Sequence, residues 1–303
     1  MSEVATPARS RIDRWIDALF AIGDDPAPND PAARLRAFET ILLLHLFVTV
    51  ATGAFPSAHV GVGLQYTLSA VLGGCLALRF SARFSPMASA GALCVMLALL
   101  TYVFPQTGNH SYLELWLLVC LVFIGYAKPD EGTVLLSTVR WLAAIMLFYT
   151  GFQKLLHGTY FDAHFLAAQI MLKPAFADVF GLMIPAEELA RLQAIRWNEM
   201  GAGPVHSQAP LLLLASNAVY LFELAIPFGL LWQRTRRQAV VALLVFTVAI
   251  QSGAREAFFG GLLVNVCLLF WPRDLHSRFL WVFGTYYASI GLLRIFFPEV
   301  VLR

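Results

Sequence analysis

Residues 134–154 read VLLSTVRWLAAIMLFYTGFQK, and Arg140 and Lys154 are the only charged side chains in the run. A bilayer core is about 30 Å thick, and a helix needs about 20 mostly apolar residues to cross it. The run meets that length. Its apolar residues are continuous rather than alternating, so it reads as a helix and not as a barrel strand. Similar runs occur on both sides. Residues 35–54, 62–80, 86–104 and 112–127 precede it; 210–232, 238–253, 257–272 and 279–297 follow it. Nine candidate spans result. Several are short, which a tilted and crowded bundle tolerates.

Composition agrees. Of 303 residues, 59% are hydrophobic and 13% charged, and the mean hydropathy is +0.69. Soluble chains are about 45–50% apolar and about 25% charged, so this chain cannot cover a water-facing surface. Disorder, a coiled coil and a soluble enzyme with one anchor are excluded. The expected class is an all-α, polytopic membrane bundle, integral to a bacterial inner membrane. The net charge of +2 offers no field for nucleic acid. Cys75, Cys94, Cys120 and Cys267 lie in apolar runs without C-x-x-C spacing and read as core thiols. No metal is expected. His157, Asp162 and His164 form no recognisable ligand spacing, and no P-loop, dinucleotide or G-x-S-x-G motif is present.

The organisation follows from the runs. Residues 1–30 read as a cytoplasmic tail, and its first twenty residues lack the pattern of a cleavable signal peptide. Ile12, Trp15, Ile16, Leu19 and Phe20 recur at helical spacing opposite Arg11, Asp13, Arg14 and Asp17. This predicts a short interfacial amphipathic helix. Asp30-Pro31 reads as a helix N-cap followed by a first-turn proline. With the N-terminus inside, 14 of the 21 Lys and Arg fall on the cytoplasmic side and 7 outside, predicting N-in and C-out. Residues 31–303 form the membrane domain. Within it, 155–209 is a long outer-side segment, expected to re-enter the membrane or lie on the leaflet. Its stretch from Pro185 to Trp197 predicts an amphipathic helix, with Glu187 and Glu188 in the first turn.

Ionisable groups at hydrocarbon depth mark candidate sites. Lys154 closes the fifth span. In apolar surroundings an amine can act as a base, although a lysine there can equally snorkel to the interface. His110 stands just before the fourth span, one turn from Glu114, which could pair with its ring. Histidine shuttles protons near neutrality, although a loop histidine in water is the plainer reading. The charge count puts His110 and Lys154 on one side, so they can line one pocket. Asn217, Tyr220 and Glu223 share a face of the sixth span, where Glu223 needs a partner or a proton. His45, Gln65, Gln251 and Asn265 read as interhelical glue.

Two motifs resemble a known family. Asn109-His110-Ser111-Tyr112-Leu113 opens one span, and Phe148-Tyr149-Thr150-Gly151-Phe152-Gln153-Lys154-Leu155 ends the next. Together with Tyr160-Phe161-Asp162 and the Phe258–Pro272 run, they are similar to the membrane domain of vitamin K-dependent γ-carboxylases. They are also similar to the broader horizontally transferred transmembrane (HTTM) group. The resemblance spans about residues 35–275. It implies a lyase-type enzyme acting with a reduced quinone similar to vitamin K hydroquinone. Dioxygen and CO2 would be co-substrates, and proton abstraction or carboxylation would be coupled to quinol epoxidation. It implies Lys154 as base and His110 in the same pocket, with Asn109, Tyr112, Glu114, Phe152, Gln153, Tyr220 and Glu223 around the quinone. Partners would be membrane lipid or quinone and a peptide or protein substrate.

The chain also departs from the family pattern. Gln153-Lys154 stands where the family carries two lysines. Gly253-Ala254-Arg255 stands where the carboxylases place a histidine. The chain ends at Arg303, soon after the last run, so the lumenal domain that holds protein substrates is expected to be missing. Quinol chemistry without glutamyl carboxylation is one outcome. A transporter, a lipid-handling protein or a non-catalytic partner presenting 155–209 is another, although no internal repeat favours transport.

Overall fold

Asp30 and Pro31 begin the first helix as the sequence suggests: the Asp30 carboxylate accepts a hydrogen bond from the Ala32 amide at 2.8 Å. A computed structural model describes residues 30–53, 60–81, 83–104, 109–126, 128–195, 205–254, 257–271 and 277–297. Every regular element among them is helical. The long helices are α1 (Pro31–Ala51), α2 (Val62–Arg79), α3 (Ser85–Val103), α4 (Asn109–Phe123) and α5 (Pro129–His157). Three short helices follow: α6 (His164–Leu172), α7 (Pro174–Phe180) and, after a 3-10 turn, α8 (Ala186–Ala194). The chain then forms α9 (Pro210–Leu231), α10 (Arg236–Ala254), α11 (Ala257–Phe270) and α12 (Ser277–Phe296).

Each of the nine apolar runs is therefore a helix. Three of these helices are long and apolar enough to cross a membrane: α3, α5 from Asp130 onward, and α9. The apolar parts of α4 and α11 are shorter. The 14 residues of α11 extend about 21 Å, less than the hydrocarbon thickness. Large apolar side chains face outward in number, among them Phe123, Trp141, Leu214, Phe228 and Trp281. A water-soluble monomer does not expose apolar surface on this scale. The proposed interfacial helix at 11–21 and the Arg255 position lie outside the described residues.

α1 is the central helix, packed against α2, α3, α5, α11 and α12. A helix surrounded on all sides must be apolar all round, and Leu35, Phe38, Leu42, Leu43 and Leu46 are fully buried. Its few polar residues then need partners on the neighbours. Glu39 is met by Ser89 of α3 at 2.5 Å, by Arg79 of α2 at 2.7 Å and by the Tyr126 hydroxyl after α4. His45 is met by Glu114 of α4 at 2.7 Å and Tyr287 of α12 at 3.0 Å, and Asn265 of α11 donates to the same tyrosine at 3.1 Å. Gln65 donates to the Ala51 carbonyl at 3.2 Å, and Gln251 to Tyr286 at 3.2 Å. The polar residues read as glue do join helices.

The arginines near the opposite ends of the apolar runs act on helix C-termini. Arg140 donates to the Leu269 carbonyl at 2.7 Å, and Arg236 to those of Leu230 and Leu231 at 2.9 and 3.1 Å. Cations suit those carbonyl-rich ends. The cysteine reading needs correction. Cys75 and Cys267 are buried, but Cys120 is half-buried and Cys94 is exposed. An apolar run covers the whole circumference of a helix, and Cys94 falls on the outward side.

The described residues of the 155–209 segment form short helices with a core of Leu166, Ile170, Phe176, Ile184 and Leu192. Its predicted amphipathic helix forms over Ala186–Ala194. There the Arg191 guanidinium, hydrogen-bonded to Glu188, holds that carboxyl below its usual range.

Removing one partner of a buried ion pair leaves the other stranded. Glu39→Ala should lower stability by about 3–5 kcal/mol, read as a lower thermal midpoint in detergent. Arg83→Ala, at an exposed position, should leave the midpoint in place.

Candidate functional site

α5 ends just after Lys154. Gly158 takes the left-handed conformation (φ 70°), and its amide caps the Lys154 carbonyl. Only glycine adopts that backbone without strain. One turn before Lys154, Gly151 lets two backbones meet. A Cβ there would lie 2.8 Å from the Leu224 amide nitrogen and 2.9 Å from the Glu223 Cβ. This close approach sets Lys154 of α5 opposite Glu223 of α9. The Lys154 Nζ stands 2.5 Å from both Glu223 carboxylate oxygens. The Glu223 side chain is 6% exposed and that of Lys154 23%. Pro227 follows one turn later within α9, and its missing N–H frees the Glu223 carbonyl from the helical ladder.

The loop after α5 is fastened to the same face of α9. Ser216 donates to the Tyr160 carbonyl at 2.7 Å, and Asn217 to the Phe161 carbonyl at 3.2 Å. Tyr220 donates to Asn217 at 3.0 Å, and its ring meets Phe161 edge-on. Tyr160 is thereby held with its ring 5.4 Å from the Lys154 Nζ, a cation–π contact.

A cavity of about 400 Å³ opens beside the Lys154–Glu223 pair. Leu113, Met146, Leu147, Phe246, Phe259 and Leu263 give it apolar walls; His110, Gln153, Lys154, His157 and Glu223 supply its polar groups. The first turns of α4 and α11 form part of the wall, through His110 and Phe259, whose rings lie 5.8 Å apart. Helix N-termini favour negative charge nearby. The cavity thus combines one ammonium, one carboxylate and two imidazoles with a greasy enclosure. Its size and lining match small-ligand pockets.

The residues picked from sequence divide. His110, Lys154, Gln153 and Glu223 meet in the cavity. His110 sits in the first turn of α4 rather than before it. Glu114 does not pair with His110; it is 1% exposed and bound to His45. Although four residues apart, the two side chains reach different neighbours, α11 for His110 and α1 for Glu114. Tyr112 and Phe152 do not line the cavity; Phe152 stacks on Phe148. Tyr220 also stays out and acts through Asn217. The side chain of Asn109 lies outside the described residues. Sequence reasoning missed Thr150, whose hydroxyl lies beside Glu223, and Tyr160 and Phe165, which line the cavity and stack on one another. The stripe Leu147, Thr150, Lys154, His157 at i, i+3, i+7, i+10 was the available signal. Asp162 accepts from the His164 amide at 3.1 Å, a turn contact, and among the described residues no cluster of metal-ligating side chains forms.

The sequence matches no family model, and comparison with curated proteins and with solved structures finds no match.

Gly151→Ala should force α5 and α9 apart and cost about 1–3 kcal/mol, seen as a lower unfolding midpoint. Gly74→Ala, with open space around its Cβ position, should match or exceed the parent.

Proposed function

We propose that the chain is a multi-pass membrane protein whose cavity binds a reduced quinone and handles its hydroxyl protons at the Lys154–Glu223 pair. In this reading nine helices cross the bilayer with the N-terminus inside, and the cavity opens on the outer side beneath the 155–209 cap. One observation carries the reading: His110 and Lys154, from two motifs that resemble the γ-carboxylases, line the same apolar cavity. Two snorkelling or solvated residues would have no reason to share an enclosure.

The residues suit such a ligand. A quinol has an apolar ring and tail with hydroxyls at opposite ring positions. The cavity has apolar walls, with Lys154 and Glu223 at hydrogen-bonding distance from one another and His110 entering from α4. Leu113, Met146, Phe246 and Phe259 give the pair an apolar flank, and polar contacts strengthen as the local dielectric falls. Lys154 orients the ligand hydroxyl and holds negative charge on its oxygen. His110, on a separate helix, supplies a second proton-handling group. A bound quinol would give its electrons to dioxygen and, with it, supply a strong base that takes a proton from an acceptor.

The test is oxygen-dependent conversion of a quinol to its epoxide by purified protein in nanodiscs. Lys154→Ala and His110→Ala should each lower the rate by about 10²–10⁴-fold, with Arg83→Ala unaffected. Unchanged turnover in Lys154→Ala ends this reading; saturable quinone binding without turnover favours a lipid-handling protein.

A further inference from the structure

We infer that Glu223 is the proton acceptor of the cavity and Lys154 the cation that holds the resulting oxyanion, so the site selects an apolar ligand bearing a weakly acidic hydroxyl. This rests on reading the cavity as a site for a hydroxyl-bearing apolar ligand and goes beyond it by dividing the work between two residues. It reverses the role that the resemblance implies for Lys154.

The geometry argues as follows. A base needs a free lone pair. The Lys154 Nζ lies 2.5 Å from both oxygens of one carboxylate and over the Tyr160 ring at 5.4 Å. Both contacts suit an ammonium, and neither suits a free amine facing a ligand. Glu223 is fixed from behind, because α9 meets α5 at Gly151. Lys154 is the last-turn residue on a flexible stem and is the more exposed of the two. A ligand hydroxyl entering from the cavity meets the pair side-on. Its proton passes to a Glu223 oxygen: the ligand O–H bond breaks and a carboxylic O–H forms. The electron pair stays on the ligand oxygen, which takes the carboxylate's place beside the Nζ. One anion replaces another against the same cation. No net charge is created in the apolar enclosure, which is the condition for such a transfer at low dielectric. A ligand that arrives as an anion gains nothing, since Glu223 already occupies the cation. A ligand without a hydroxyl leaves the pair closed.

The experiment uses an alkylated 4-nitrophenol, whose phenolate absorbs apart from its phenol, added to the full chain in nanodiscs at a pH well below the probe's own pKa. Wild type should bind it and show the phenolate band together with a new protonated-carboxyl band in the infrared difference spectrum. Glu223→Gln, nearly isosteric, should lose that carboxyl band, which assigns it to Glu223. Lys154→Arg keeps a cation that cannot be deprotonated and should keep both bands. A phenolate band that forms in wild type without the carboxyl band, or that vanishes from Lys154→Arg while the probe stays bound, overturns the division of labour and leaves the cavity reading standing. Failure of wild type to bind the probe overturns both. Thermal midpoints of each variant separate loss of ionisation from loss of fold.

Discussion

The contact between Lys154 and Glu223 depends on a missing side chain. With no Cβ at Gly151, α5 and α9 approach backbone to backbone, and the pair forms one turn above that crossing. The rest of the site is arranged around it. Gly158 ends α5 there, the following loop turns back over the pair, and Ser216 and Asn217 fasten that loop to α9. Each step follows from a residue's elementary property: a glycine's size, a glycine's left-handed backbone, a hydroxyl or amide seeking a carbonyl.

The opposite constraint governs α1. It is enclosed by five helices, so its polar side chains cannot reach water. Glu39 and His45 each draw partners from two or three other helices. These hubs fix how the helices are rotated about their axes, which apolar packing alone specifies weakly. In hydrocarbon there is no hydrophobic force between helices, so polar contacts and close packing must supply specificity.

The all-helical class was legible because apolar continuity is a long-range signal that a single residue cannot hide. The cap at Asp30-Pro31 and the start of α8 after Pro185 were legible for a local reason, since both depend on neighbours in sequence. The site was half legible. His110 and Lys154 were visible as charges out of place. Their meeting with Glu223 was not, because it depends on the Gly151 crossing, a contact between residues far apart in sequence. The choice between Glu114 pairing with His110 or with His45 shows the limit of spacing rules. Four residues apart on a helix permits a contact, but α1 offered Glu114 a fully buried imidazole, and burial decided. Phe152 and Tyr112 lie off the cavity for a simpler reason: each is two residues from Lys154 or His110, about 200° around the helix.

An ion pair beside an apolar cavity is poor construction if stability is the only aim. Desolvating both charges is expensive, and well-packed apolar residues in the same place are often neutral or better. The Glu39 hub escapes this objection, because Ser89 and Tyr126 satisfy its remaining lone pairs in a closed core. Lys154 and Glu223 do not have that defence: one flank of the pair is left open to about 400 Å³ of space. A fold that needed only a link between α5 and α9 already has one at Gly151. In the proposed reading the pair serves what enters the cavity, and that reading calls for a neutral hydroxyl that can trade its proton for a place beside the ammonium.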